Sequence, residues 1–385
     1  MGEVLVKNKH IAFVNVPIAS SVNPTLPLVE TLVRRGHRVT YAISEPYISR
    51  VMDVGAEAIE YKFGVLNSSN VEPTSHCRIA INTLASTRRV YEKTAPDLIV
   101  YGYPALAARI LAKNLNVPAV KISIDHAFSK EYLSEQIHLP MLRESVLASS
   151  KAADKFLAAH GVNSQDFIFY RERLNVFPIP REFEPCEGSL DDSCIHAGRC
   201  LGEQSGFGQW NKKHVDGKPT ILVAPSKSYV TGAEYFRMCI TALSGEQWHV
   251  ILSIDDEAVA SELLPLPPNF EIARNTLYTK ILPYVDAMVG MGGYITASEA
   301  LYHGVPMVMT SCGKAELEWV AGSLARVGIG IHLQSDNTNI VSLRAAVEEV
   351  LGSDRIQREV RRLQRSVRRQ PGAEETVNRI EDTYF

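Results

Sequence analysis

An apolar run, a helical pattern and a second apolar run occupy the first 44 residues, and this order constrains the fold more than any other feature. The run IAFVNV at residues 11–16 has the continuous hydrophobicity of a strand buried on both faces. From Asn23 onward apolar residues recur at helical spacing, with Pro24 in the first turn and Asn23 as the predicted cap. RVTYAIS, residues 38–44, is the next predicted strand. The segment therefore predicts a parallel, right-handed β-α-β unit.

The same alternation continues through the first half of the chain. Strands are predicted at residues 56–63, 97–102 and 118–123, and helices near residues 79–94, 105–115 and 131–157. Between residues 177 and 208 the composition shifts to Pro, Gly, Asp and Cys, which is typical of a linker.

A second alternating series begins at residue 220. Strands are predicted at residues 220–225, 249–254, 270–274, 287–291 and 306–311, and helices at residues 234–243, 297–303, 316–327, 343–351, 355–369 and 374–385. A chain of 385 residues is also too long for one ordinary core. We therefore predict two doubly wound α/β domains, residues 1–205 and 219–366. A linker at residues 206–218 joins them, and a closing helix within residues 367–385 packs on the first domain.

Composition excludes several classes of protein. The formal net charge is −3, which gives no electrostatic case for nucleic acid or an anionic membrane as a partner. No apolar stretch approaches the roughly 20 residues that span a bilayer. The six cysteines include no CxxC pair. Cys194 and Cys200 flank His196, but this spacing favours free thiols in a reducing cytoplasm over a metal site.

The turn PIASSVNPTLPL, residues 17–28, joins the first strand to the first helix. Ligands of doubly wound sheets bind at the carboxyl ends of strands, so this turn is a predicted functional position facing a cleft between the domains. Its central residues are Ser20 and Ser21, and the nearest ionisable side chain downstream is Glu30. A serine hydroxyl has no basicity near neutral pH, so the turn itself carries no general base.

Several segments together indicate a family. VNPTLPLVETLVRRGHRVTYAI, residues 96–120, VFPIPREFEP, EALYHGVPMVM and the closing helix resemble the bacterial glycosyltransferases that decorate macrolides and other natural products. The resemblance extends over nearly the whole chain. It implies the GT-B fold of glycosyltransferase family 1, in which two Rossmann-like domains face a cleft, and it implies transfer of a sugar from a nucleotide sugar to an acceptor hydroxyl.

The chain departs from this family at the acceptor side. The family usually places a His just before VNP as the general base, and Ser21 stands at that position. The family orients this His with an Asp after the fourth strand, and Gly102 stands there. The resemblance therefore implies that both the base and its orienting residue are missing.

The donor side is also altered. Residues 275–278, NTLY, stand where the family stacks a uracil ring on a Trp, so Asn275 offers no stack and Tyr278 is the remaining aromatic residue. Met291 replaces the His of the diphosphate-binding turn, although Gly292, Gly293 and Thr296 are expected just before a helix whose amides can hold an anion. A family Asp-Gln pair for sugar hydroxyls corresponds to Ala315 and Glu316, which leaves one acid.

Other residues are candidates to replace the lost chemistry. Asp125 and His126 follow the predicted strand at residues 118–123, and His126 is the candidate acid or base; the alternative is that both are ordinary loop residues. Lys227 either pairs with a phosphate or is a solvated lysine. Glu299 either accepts a hydrogen bond from a ribose hydroxyl or is explained by a favourable interaction with the dipole of its helix.

Two functions stay open at this point. One is a glycosyltransferase that uses UDP- or dTDP-sugar as co-substrate and an apolar small-molecule acceptor. The other is a repurposed GT-B protein, either a different catalyst acting on a polyketide-like ligand or a non-catalytic auxiliary partner. A homodimer or a partner enzyme is compatible with either. We expect a cytoplasmic protein without nucleic-acid or membrane partners. The arginines of residues 355–369 are expected to form a solvated helix face.

Overall fold

The computed structural model describes residues 8–61, 83–102, 105–123, 155, 158–161, 171–184, 191–198, 210, 217–225, 232–274, 278–311, 313 and 315–385. The chain divides into two compact units. The first comprises Met1–Glu203 and Gln370–Phe385, and the second comprises Gln204–Arg369. None of the described helices is both long and apolar enough to span a bilayer.

A parallel sheet of seven strands forms the centre of the first unit. The strands are β1 (His10–Val14), β2 (Arg38–Ile43), β3 (Glu57–Glu60), β4 (Leu98–Gly102), β5 (Ala119–Ile122), β6 (Leu174–Phe177) and β7 (Cys194–His196). Their order across the sheet is β3-β2-β1-β4-β5-β6-β7. The described helices of this part are α1 (Ala19–Val22), α2 (Leu26–Arg34), α3 (Ile48–Asp53), α4 (residues 83–91) and α5 (Leu106–Leu115).

Helices cover both faces of this sheet. Ile11 and Phe13 of β1 pack with Leu28 of α2 on one face. Ala12 and Val14, which alternate with them, belong to the cluster of α5 on the other face. Burial on both faces accounts for the unbroken apolar run that predicted the strand.

The start of the first helix differs from the prediction. The helical segment begins at Ala19 rather than after Asn23, with Ile18 in an extended conformation as its N-cap. Asn23 is not an N-cap: its backbone is already helical, it ends α1, and it begins a 3-10 turn, Asn23–Thr25, that leads into α2. Ser20 and Ser21 therefore lie inside a helical turn and not in a loop.

The composition-based linker at residues 177–208 is wrong in part. Within it Cys194–His196 forms β7, which pairs in parallel with β6 in the first sheet. A strand of three residues is too short to show a hydrophobic period, so its surrounding turn residues dominated the prediction.

A second parallel sheet, of six strands, forms the centre of the second unit. The strands are β8 (Thr220–Val223), β9 (His249–Ser253), β10 (Phe270–Ala273), β11 (Ala287–Gly290), β12 (Met307–Thr310) and β13 (Gly330–Leu333). Their order is β10-β9-β8-β11-β12-β13. The helices are α6 (Glu234–Leu243), α7 (Glu257–Glu262), α8 (Tyr278–Ile281), α9 (Tyr294–His303), α10 (Ala315–Val327), α11 (Ile340–Gly352) and α12 (Asp354–Val367).

Several elements of the second unit differ from the sequence prediction, among them the short helices α7 and α8, which were not predicted. β13 was not predicted, because its glycine is typical of a turn. Here Gly330 is required by close approach, since a Cβ at this position would lie 1.8 Å from the carbonyl oxygen of Met307 on β12. Helix α9 begins at Tyr294 rather than at residue 297, so Thr296 lies in its first turn.

A final helix, α13 (Gly372–Tyr384), is part of the first unit and packs on α2. Glu381 ties α13 to the residues that follow α2: its carboxylate accepts hydrogen bonds from Arg35 Nη1 at 2.6 Å and from His37 Nε2 at 2.9 Å. The His37 side chain is only 1% exposed. Its Nδ1 accepts from the backbone N–H of Lys9, so the ring proton is on Nε2 and points at Glu381.

We expect Glu381→Ala to lower the free energy of unfolding by about 2 kcal/mol, because it leaves a buried imidazole N–H without its acceptor. Urea unfolding of the full chain measures the loss. Asp382→Ala is the control: it removes an exposed acid from the neighbouring position of the same helix and should change stability by less than about 0.5 kcal/mol. Equal losses in the two variants would contradict this account of how α13 is held.

Candidate functional site

In the first sheet the order of strands reverses direction between β1 and β4. Neighbouring crossovers leave in opposite directions at such a point, and ligands of doubly wound sheets bind there, at the carboxyl ends of the strands. Ser21 follows β1 and Gly102 ends β4. The structure thus brings together the two positions at which the sequence departs from the family's base and orienting residue.

Ser21 is buried, with 4% of its surface exposed. Its Oγ has no hydrogen-bond partner among the described residues. Its backbone carbonyl accepts a hydrogen bond of 2.7 Å from Asn15 Nδ2. The hydroxyl therefore has neither the basicity of an imidazole nor a basic neighbour in the described part of the chain that would activate it.

Asn15 is the residue of this edge that sequence reasoning missed. It lies one residue beyond β1 and is 2% exposed. Its side-chain amide donates to the Ser21 carbonyl at 2.7 Å and to the Tyr41 hydroxyl at 3.2 Å, while its Oδ1 accepts from the Val16 amide at 3.0 Å. A polar residue ending an otherwise apolar strand was the available signal, because such a residue needs buried partners.

The side chain of Asn15 also fills the space above Gly102. A Cβ added to Gly102 would lie 2.2 Å from Asn15 Oδ1, which is closer than any real contact. Because two hydrogen bonds from its amide hold Asn15 in place, position 102 has no room for the carboxylate that the resemblance to the family implies.

A pair of buried hydroxyls supports the same turn. Tyr41 Oη lies 2.8 Å from Thr25 Oγ1, and Thr25 in turn donates to the Val22 carbonyl at 2.7 Å. Burial raises the pKa of Tyr41 to about 12, so its hydroxyl stays protonated at neutral pH. The network is thus uncharged and positions the turn, but it supplies no acid or base for catalysis.

The second sheet reverses its strand order between β8 and β11. The predicted diphosphate-binding turn, with Met291, Gly292 and Gly293, follows β11 in sequence. Met291 is 3% exposed, and its side chain is therefore directed into the core. Gly292 has a φ of +75°, and a Cβ there would lie 3.0 Å from the Cβ of Ala321, so conformation and close packing both require glycine.

Gly293 is the N-cap of α9, with extended backbone and no side-chain cap. A Cβ at this glycine would meet nothing within 4 Å among its neighbours. The first amides of a helix of 10 residues therefore begin beside open space, without a side chain that satisfies them. This arrangement can accept an anion.

Tyr278 also lies at this edge. It begins α8, and its hydroxyl is 3.5 Å from the carbonyl oxygen of Pro225, which follows β8. Burial raises the pKa of Tyr278 to about 12, and the Glu299 carboxylate adds to the rise. Glu299 lies in the middle of α9, so the explanation of this acid by the dipole at a helix N-terminus is wrong.

Three polar side chains meet further along the same edge, and none of them was predicted. His332 Nε2 of β13 lies 3.3 Å from Ser311 Oγ, which follows β12, and 3.0 Å from Glu318 Oε2 of α10. Burial alone would raise the pKa of Glu318, but hydrogen bonds from Ser311 and Ser335 outweigh it, so the pKa is lowered. Residues from three elements meet here, so no sequence pattern could identify them.

The remaining candidates divide into two groups. Asp125, His126, Lys227 and Asn275 lie outside the described residues. Thr296 and Glu316 have described backbones in the first turns of α9 and α10, but the side chain of Glu316 is not described. His196 lies at the end of β7, and no group of three metal-binding side chains occurs among the residues with described positions.

Comparison with known proteins identifies relatives along the whole chain. Residues 238–383 match the model of the erythromycin biosynthesis protein CIII-like C-terminal domain. The chain is 29% identical to NDP-glycosyltransferase YjiC of Bacillus subtilis (strain 168), with 97% of each chain covered. It is 27% identical to demethyllactenocin mycarosyltransferase of Streptomyces fradiae, over 97% of this chain and 86% of that one.

A solved structure extends the comparison to the whole fold. The glycotransferase of kitacinnamycin superposes with a TM-score of 0.85 at 26% identity, covering 98% of this chain and 100% of the other. The predicted fold class, two Rossmann-like domains with parallel sheets as in GT-B glycosyltransferases, is confirmed. The resemblance to the macrolide and natural-product glycosyltransferases is confirmed as well.

We expect Gly102→Ala to lower the free energy of unfolding by about 1–3 kcal/mol, because the new methyl group overlaps Asn15. Thermal or urea unfolding measures this loss. In an Asn15→Ala background the same substitution should cost less, giving a coupling of at least about 0.5 kcal/mol. Gly232→Ala, where a Cβ meets nothing within 4 Å, is the matched control. Additive effects of Gly102→Ala and Asn15→Ala would show that the two positions do not compete for space.

Proposed function

We propose that this chain transfers a sugar from a nucleoside diphosphate donor to a hydroxyl of an apolar natural product. The observation that carries the proposal is the open helix N-terminus after β11, where Gly293 leaves the first amides of α9 without a side-chain cap. Relatives along the whole chain are named as glycosyltransferases, which supports the same reaction.

Backbone groups would hold the donor diphosphate in this proposal. The amides at the start of α9 carry the positive end of the helix dipole, and they favour the negative charge that grows on the diphosphate as the bond to the sugar breaks. Replacement of a histidine by Met291 removes one side-chain contact but leaves these amides in place. A structure with this fold, spinosyn rhamnosyltransferase SpnG, is a complex with thymidine diphosphate. We propose that Lys227 adds a cation to the same anion.

The base on the acceptor side would come from outside the turn of Ser21. We propose His126 as that base and Asp125 as its neighbour, since imidazole is the side chain suited to proton transfer near neutral pH. An acceptor hydroxyl that is acidic enough to react unaided would need no base at all.

A second candidate function rests on a different observation. Asn15 fills the space above Gly102, so the acceptor-side position of the orienting residue is closed by a buried hydrogen-bonded side chain. This supports a repurposed protein that keeps the fold but acts on a polyketide-like ligand without a sugar donor, or that assists another enzyme. The first candidate function requires nucleotide binding and the second does not, so a binding measurement distinguishes them.

Calorimetry with UDP and dTDP tests the donor site, and we expect micromolar binding of at least one. Gly293→Asp should weaken this binding at least about tenfold, because its carboxylate caps the amides of α9 and repels the diphosphate. The variant should not unfold, since φ at Gly293 is −65° and a Cβ there has open space. Gly293→Asn is the uncharged control and should lose less affinity. Absence of nucleotide binding in the unaltered chain would leave the second candidate.

Ser21→Ala should leave sugar transfer within a few-fold of the original rate, because an unpartnered hydroxyl supplies little proton-transfer catalysis. His126→Ala, in contrast, should cost about a hundredfold or more. Stability should stay the same or rise in Ser21→Ala, since the variant removes a buried polar atom without a partner. Loss of turnover in folded Ser21→Ala protein would instead make Ser21 a nucleophile or an oxyanion donor.

A further inference from the structure

Helix α12 and the two residues after it carry an unusual concentration of positive charge. Residues 354–369 contain seven arginines, two acids and no lysine, in a chain whose net charge is −3. The apolar residues Ile356, Val360, Leu363 and Val367 are buried. All seven arginines are exposed; they are Arg355, Arg358, Arg361, Arg362, Arg365, Arg368 and Arg369, and we call them the arginine stripe.

The arginine stripe forms one continuous surface. At 3.6 residues per turn its members fall within an arc of about 140°, opposite the buried face of the helix. Asp354 is the one acid on this arc, and no apolar or aromatic residue lies on it. The helix has 14 residues, so the stripe is about 20 Å long.

Most of the stripe is not neutralised within the protein. Arg362 pairs with Glu359 at 2.6 Å, and Arg368 donates to the Tyr302 carbonyl at 2.9 Å. Arg355, Arg358, Arg361, Arg365 and Arg369 make no ion pair or hydrogen bond through their side chains with any residue that the structure describes. Five guanidinium groups therefore remain available to external anions.

The stripe is remote from the proposed donor site. Glu359 of α12 lies against Gly328, which precedes β13, and Gln364 lies against Gly304, which precedes β12. Helix α12 thus crosses the amino ends of these strands, whereas the start of α9 lies at the carboxyl end of β11. The charge cannot serve to bind the donor diphosphate directly.

We propose that the arginine stripe docks the protein on the surface of an anionic lipid bilayer. Guanidinium groups bind phosphate through paired N–H donors, and clusters of four to eight basic residues on a helix are typical of attraction to anionic headgroups. Lipids diffuse laterally in a fluid bilayer, so anionic headgroups can move to positions beside all five arginines. The helix does not insert, because its apolar face is packed against the protein.

Other anionic partners fit the stripe less well. A specific protein interface takes most of its affinity from a few desolvated residues at its centre; Arg is common there, but it occurs together with aromatic or apolar residues, and the stripe has none of these. Single-stranded nucleic acid is held by aromatic stacking; the arc of α12 carries no aromatic residue, and the neighbouring Tyr302 ring is covered by the Arg368 guanidinium. A helix with one face packed on the protein body cannot enter the major groove of DNA.

Docking of this kind would bring the protein to the place where apolar compounds collect. A bilayer concentrates apolar small molecules, so a docked transferase would meet its acceptor at high local concentration. This consequence rests on the proposed function, whereas the docking itself does not, and vesicle binding tests the docking alone.

Co-sedimentation of the full chain with vesicles tests the proposal. We expect binding to vesicles of equal parts phosphatidylglycerol and phosphatidylcholine at about 0.1 M salt, and little binding to pure phosphatidylcholine. The binding should be lost near 0.5 M salt, because the surface field is screened over a few ångströms. Each arginine near the surface contributes about fivefold, so the triple variant Arg358→Gln, Arg361→Gln, Arg365→Gln should bind about a hundredfold more weakly.

The control removes three positive charges elsewhere. Arg89→Gln, Lys93→Gln and Lys218→Gln act on exposed side chains outside the stripe and should leave vesicle binding within a few-fold. Gln is a good helix former, and circular dichroism verifies that each variant is folded. If both triple variants lost vesicle binding equally, net charge and not the arginine stripe would explain the binding, and the proposal would be overturned. Binding to duplex DNA or self-association through the stripe, without vesicle binding, would overturn it as well.

Discussion

The side-chain amide of Asn15 holds the first turn of the chain against the first sheet. It links the end of β1 to the Ser21 carbonyl and to the Tyr41 hydroxyl on β2, all of them buried. An unpaired amide in this position would cost more than the net gain of the bonds it makes, so these contacts fix where the turn lies. The same rotamer excludes a side chain at Gly102. One residue thus determines both the geometry of the turn and its lack of an orienting carboxylate.

The two sheet edges differ in the groups that they could offer to a ligand. At the first edge the described contacts are hydrogen bonds between buried neutral groups, which give rigidity but no proton transfer. At the second edge the described groups are the backbone amides that begin α9: Gly292 shapes the turn with its positive φ, and Gly293 leaves the amides without a side-chain cap. Side-chain chemistry is lost with one substitution, whereas a helix N-terminus persists as long as the helix does. In the proposed function the donor side is therefore the half that tolerates more substitutions.

Sequence periodicity predicted most strands and helices because buried parallel strands and amphipathic helices impose strong patterns. It failed where no pattern exists. Helix α1 has four residues and β7 has three, too few to show a period. Gly330 belongs to a strand because β12 passes so close to it, which is a fact of packing and not of local sequence. The roles of Asn15 and of the Ser311–Glu318–His332 cluster depend on residues that are distant in the chain, so only the folded structure could identify them.

Net charge illustrates the same limit for surfaces. A value of −3 describes the field far from the protein, where opposite charges average out. Within a screening length of about 8 Å an anion at α12 instead meets the local arginines, because more distant acids are screened by salt. Of the two acids in residues 354–369, Glu359 is paired with Arg362, and Asp354 is outnumbered by the arginines around it. The sequence predicted that these arginines form a solvated helix face, and the burial of Ile356 and Val360 on the opposite side of the helix confirms it. A surface can therefore attract anions although the whole chain repels them.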